Sequence, residues 1–173
     1  MSAQYWGKYR GVVVNNLDPE QRGRIQAIVP AVTGVIPSNW ALPCVPVAGI
    51  AEGFFCVPPL AASIWMEYED GDLDKPIWVG GFWTQGAQVP TAASVPPAIP
   101  PGQNIVIQTT LQNSIAISDS APTPATGGII LKSTTGASII VNDSGIYISN
   151  GKGAEITMIG PVITINQGAL VIT

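Results

Sequence analysis

Histidine is absent from this chain of 173 residues, cysteine occurs only twice, and charged side chains make up 10% of the whole, against roughly 25% in typical soluble domains. Without an imidazole, a serine or cysteine nucleophile has no ordinary general base. Zinc would have only the thiols of Cys44 and Cys56, too few for a structural or catalytic site. The seven Lys and Arg are scattered, so no basic groove forms to hold a phosphate backbone, which argues against nucleic acid as a partner. The opening MSAQYWGKYRG has no apolar signal-like core and no run of 18 apolar residues occurs, so neither a signal peptide nor a membrane-spanning helix is expected. Spacing alone leaves open whether Cys44 and Cys56 pair. Assembly in a reducing cytosol favours free, buried thiols.

Apolar residues are abundant instead, at 46%, and the formal net charge is −4. A chain that can bury so much surface, with so thin an ionic coat, is better suited to an assembly than to life as a free monomer. Charge also divides it. Residues 1 to 76 hold most of the ionisable groups, and after Lys75 only Asp119, Lys132, Asp143, Lys152 and Glu155 remain. Between the halves lies VPTAASVPPAIPPGQ, residues 89 to 103, whose prolines suit an extended connector. The expected domains are 1–84, a Pro-rich collar at 85–103, and 104–173.

In the first half, GVVVNN (11–16), RIQAIVPAV (24–32), LPCVPVAG (42–49), SIWMEYE (63–69) and PIWVGGFW (76–83) read as strands separated by turn signals. Five strands without a convincing helix predict a small, partly open Greek-key barrel, the OB architecture. Asp18-Pro19 sets a turn, Gly23 permits a positive φ, and Pro76 suits a strand start.

Residues in this half resemble the OB domain of central spikes in contractile phage-tail baseplates and related injection systems, of the short baseplate protein V type. The resemblance rests on Gly11-Val12-Val13, Asn16, Asp18-Pro19, Gly23-Arg24-Ile25, Pro30, Trp40, Pro43, Gly53, Pro58, Trp65-Met66-Glu67-Tyr68, Gly71-Asp72 and Lys75-Pro76-Ile77-Trp78-Val79-Gly80-Gly81. It runs over most of residues 7 to 83. One departure is Ala61-Ala62-Ser63, where such domains often carry Gly-Asp, which implies a tighter or drier loop here.

In the second half, pairs of large apolar residues two apart recur eight times: Ile105/Ile107, Ile115/Ile117, Ile129/Leu131, Ile139/Val141, Ile146/Ile148, Ile156/Met158, Ile163/Ile165 and Leu170/Ile172. Each pair puts two side chains on one face of a short strand. Turn residues such as Asn142-Asp143-Ser144-Gly145 and Asn150-Gly151-Lys152-Gly153 separate them. Segments this short carry one strand and one corner, so a single chain cannot enclose the isoleucines as a solenoid does. Three chains wound as a triangular prism can, with the paired residues on the threefold axis and ladders running between chains. Stacked at 4.8 Å, eight strands give a shaft of roughly 40 Å. The fold expected for the whole chain is therefore all-β: an OB barrel followed by an intertwined trimeric β-helix, or needle.

Other chemistry was weighed on its own residues. Lys132-Ser133 and Lys152 sit in strand-and-corner context without a pocket, and no other nucleophile and base suggest themselves, so no enzyme is expected. Glu67, Glu69, Asp70, Asp72 and Asp74 could offer oxygens to calcium, but their alternation reads as a solvated hairpin. The tryptophans 6, 40, 65, 78 and 83 could stack bases, though without a basic groove they read as core or interface.

The resemblance implies more than the residues do. It implies a structural homotrimer in the baseplate of a virion tail or an injection particle, made in the bacterial cytoplasm and meeting a target membrane only during penetration. It also implies a hub protein on the OB side, expected as a separate polypeptide because the chain starts at the barrel. Residues 84 to 104 leave no room for the lysozyme-like domain that some related spikes carry, and a histidine-bound iron at the tip is not expected. The needle is expected to end blunt and to be capped by a PAAR-like tip protein through Ala169, Leu170, Val171, Ile172 and Thr173. The rival readings are a receptor-binding fibre and, less favoured by charge, a nucleic-acid-binding OB module.

Overall fold

The computed structural model describes residues 3–93 and 104–172. Two compact units divide the chain at Gly86 and Ala87, and the described residues contain strands and short 3-10 turns but no α-helix. Most of the Pro-rich collar, including 94–103, lies outside the described residues.

In the first unit, alternation decides which side chains go inside. Strand β1 (Tyr9–Asn15) buries Gly11 and Val13 while Arg10, Val12 and Val14 face out. Four short pieces follow: β2 (Gln26–Ile28), β3 (Leu42–Pro43), β4 (Ala48–Gly49) and β5 (Glu52–Gly53). Strand β6 (Ser63–Tyr68) buries Ile64, Met66 and Tyr68, and β7 (Pro76–Gly81) buries Pro76 and Trp78. The five-stranded sheet runs β2-β1-β6-β7-β3, with β3 parallel to β7 and the other neighbours antiparallel. Its core is Val13, Ile25, Ala27, Val29, Ala41, Ile64, Met66 and Trp78.

Two expected strands are shorter than their apolar runs. The second stops at Ile28, because Val29 and Pro30 lead into a turn in which Val29 O accepts from the N–H groups of Val32 and Thr33. The third is cut between Pro43 and Pro46, since proline supplies no ladder N–H, and its far end becomes one arm of the β4–β5 hairpin.

In the second unit, β8 (Asn104–Gln108), β9 (Ser114–Thr123), β10 (Thr126–Lys132), β11 (Ser138–Asn142), β12 (Gly145–Ser149), β13 (Glu155–Ile159), β14 (Val162–Ile165) and β15 (Leu170–Ile172) form one sheet. Each strand pairs antiparallel with its neighbour in sequence, in the order β15 to β8. The ladders thus run within the chain rather than between chains, a correction to the sequence reading. Corners of two to five residues return the chain beside itself, so a local hairpin closes with far less entropic cost than a distant pairing.

Candidate trimerisation face

The register of the second sheet aligns the paired apolar residues across all eight strands. One ladder runs Ile105, Ile117, Ile129, Val141, Ile146, Met158, Ile163, Ile172, each directly opposite the next. A second, parallel to it, runs Ile107, Ile115, Leu131, Ile139, Ile148, Ile156, Ile165, Leu170. Directly opposed residues project to the same side of a sheet, as do residues two apart. All sixteen therefore share one face.

None of the sixteen is buried in the single chain. Eleven are exposed, from 36% at Ile148 to 66% at Ile105, and the other five are half-buried. Soluble monomers rarely leave a contiguous apolar surface of this extent bare. Covering it gains ~1 kcal/mol or more for each exposed side chain, on the order of 10 kcal/mol per chain.

Sequence periodicity missed the other face. The residues between the paired ones form their own ladder of Val106, Ala116, Ile130, Ile140 and Tyr147, then Thr157, Thr164 and Val171. Ala116, Ile140 and Tyr147 are buried already in the single chain, and the hydroxyls of Thr157 and Thr164 bond to each other across the ladder. The signal was present: the middle residue of each triplet is apolar from β8 to β12 and again in β15, and threonine in β13 and β14.

Three corners on one side of the sheet repeat the same hydrogen bonds. Thr109, Ser133 and Asn150 each donate their N–H to the carbonyl four residues on, at 3.0, 2.8 and 3.0 Å. Each side-chain oxygen accepts the N–H of that same residue, at 3.2, 3.0 and 3.0 Å. At the opposite side, the Asn142 amide donates to the carbonyls of Thr123, Thr126 and Gly127, tying the β9–β10 connection to the next turn. Such side-chain bonds fix corner length, and corner length fixes register.

The remaining residues singled out from sequence are dispersed. Ser133 is occupied as a corner cap, Lys132 is exposed on the face opposite the apolar ladders, and Lys152 lies exposed in a turn. In the acidic hairpin Glu67 pairs with Lys8, Asp74 accepts from Asn39, and Asp72 accepts from the Asp74 N–H. No group of three or more His, Cys, Asp or Glu among the described residues is placed to hold a metal ion. Trp78 is core and donates to Gly23 O at 3.1 Å. Trp65 stacks with Phe82 and Arg10, Trp40 lies under Arg24, and Trp6 and Trp83 are exposed. Cys44 and Cys56 are free and exposed, which overturns the expectation of buried thiols. They flank the β4–β5 hairpin, which the prolines push out of the core. Of the tip residues, Ala169, Leu170 and Ile172 are exposed, Val171 pairs with Thr164, and Thr173 lies outside the described residues.

Two protein families match the chain. Residues 9–83 match the type VI secretion system/phage-baseplate injector OB domain. Residues 104–171 match the phage baseplate V C-terminal trimerisation domain. No curated protein matches.

Proposed function

This chain belongs to the baseplate spike proteins of phage tails and related injection systems, and from that premise we propose that it forms the central spike, attached to a separate hub and driven mechanically through the target envelope. The observation that carries the reading is the face of sixteen apolar residues, continuous over eight strands and left bare by the single chain. Three copies turning this face inward would enclose a dry core, with the two ladders along the threefold axis. The boundaries that fit this division are 1–84 for the barrel, 85–103 for the collar and 104–173 for the needle.

Mechanical work suits such an arrangement, because load along the shaft is shared by many backbone hydrogen bonds and by side chains that are stiff at χ1. No step of that work needs a reacting group, and we read the chain as non-enzymatic. The hub would hold the barrel end. At the other end β15 is an open sheet edge carrying the exposed Leu170 and Ile172. An open apolar edge invites further pairing, which supports a PAAR-like cap there.

Light scattering of the purified protein tests the central point. A mass three times the 18.0 kDa chain is expected, and a stable monomer would end the spike reading. Omission of the candidate tip protein from a binding mixture should leave the edge open; failure of the two purified proteins to associate would end the cap reading alone.

A further inference from the structure

The connections of the second sheet sort by length onto its two sides. The longer corners, 109–113, 133–137, 150–154 and 166–169, all lie on one side, and the two-residue turns, 124–125, 143–144 and 160–161, all lie on the other. Charge sorts with them. Lys132, at the end of β10, and Lys152, within a corner, are on the long-corner side. Asp119, just past the last residue of β9 that pairs with β8, and Asp143, within a turn, are on the short-turn side. All four are exposed, and the half-buried Glu155, on the long-corner side, completes the charged residues of this unit. Every ion pair among the described residues joins residues of the first unit, so in the single chain these five charges have none.

We propose that the seam between neighbouring copies of the trimer pairs these charges, Lys152 of one copy with Asp143 of the next and Lys132 with Asp119, and that the pairs fix the height of one chain against another. The proposal rests on the trimeric reading above. With the apolar faces turned inward, every contact in a threefold ring is heterologous, so the long-corner side of each copy meets the short-turn side of the next. The spacing of the charges matches across that seam. In both pairs the lysine lies one strand further toward β15 than the aspartate, an axial offset of about 5 Å, so one arrangement of the chains serves both. The apolar face cannot set this height by itself. Twelve of its sixteen residues are isoleucine, and a slip by whole strands still lays apolar side chains on one another. Exposed ion pairs add little cohesion, but they disfavour arrangements that oppose like charges or leave the partners apart.

A zero-length carbodiimide, which condenses an amine and a carboxylate into an amide, tests this on the purified trimer. Within one chain Lys152 and Asp143 stand on opposite sides of β12, about 14 Å or more apart, so an amide between them joins two copies. Covalent dimers and trimers are expected on a denaturing gel, with mass spectrometry locating the Lys152–Asp143 and Lys132–Asp119 amides. Asp143→Lys should lower the trimer association constant by about tenfold or more, summed over three seams, and adding Lys152→Asp should restore it. A trimer whose amides join neither pair would overturn the proposal. So would an association constant that Asp143→Lys leaves unchanged, or a loss that Lys152→Asp does not repair. A protein that stays monomeric overturns the trimeric reading instead.

Discussion

At the scale of single residues, the first unit holds two ionisable groups in opposite ways. Asp18, with its side chain 4% exposed, accepts the Arg24 guanidinium at 2.7 and 3.0 Å and the N–H groups of Glu20, Arg22 and Arg24. The Arg24 guanidinium first, then the backbone donors, hold its carboxyl well below the usual range. A depressed folded pKa gives stability that is complete above the unfolded value near 4 and is withdrawn only as pH falls below it. Asp18→Asn should therefore lower the melting temperature at pH 7 and flatten the acid limb below about pH 4; an unchanged acid limb would remove Asp18 from this role.

Tyr68 behaves the other way. Burial first, then the neighbouring Tyr9 and Tyr5, push its hydroxyl up to about 12, and that hydroxyl finds no partner among the described residues. Its stability is present below the unfolded value near 10 and is lost as pH rises toward 12, at about 1.4 kcal/mol per pH unit. Tyr68→Phe should abolish that alkaline slope and, by removing an unsatisfied polar atom, stabilise the barrel at neutral pH by ~1 kcal/mol in denaturant titration. Ala61 is a third special position. It sits at φ +64° while its N–H bonds Val13 O at 2.9 Å. Ala61→Gly relieves the left-handed strain and should raise stability by about 0.5–1 kcal/mol, a sign that thermal unfolding checks.

At the scale of elements, corners govern the second sheet. A Cβ on Gly151 would lie 2.7 Å from the Gly136 carbonyl carbon and 2.8 Å from Ala137 N, and its φ is +70°. Gly151→Ala should cost about 2 kcal/mol or more through overpacking and backbone strain. Gly153→Ala, at φ +99° with open space around it, should cost only ~1 kcal/mol. Equal losses in a melting experiment would show that the two corners do not pack as described. The strands themselves were legible because every apolar pair repeats with period two. The short β2 and the β4–β5 hairpin were not, since apolar runs through Pro30, Pro43 and Pro46 look continuous until backbone donors are counted.

At the scale of the whole molecule, a charge placed in the middle of the apolar face discriminates between trimer and monomer. Ile139 stands between Leu131 and Ile148 in its ladder and is 41% exposed in the single chain. Ile139→Asp leaves a monomeric sheet little changed but puts three carboxylates into the enclosed core, a cost of several kcal/mol each. Light scattering should then show monomer or aggregate, with circular dichroism still reporting strand. A persistent trimer would place this face away from the axis.

The sequence by itself determined that the chain is all-β, that it has two halves of different physics, and that sixteen apolar residues share one face, because side-chain alternation along a strand is a local property. Only the tertiary structure decided what those strands pair with. Their ladders close on neighbours in the same chain because short corners make local pairing the least costly in entropy. That choice leaves the apolar face whole and bare. The second unit's cohesion thus rests on backbone bonds made within the chain, while its hydrophobic face stays uncovered in the single chain.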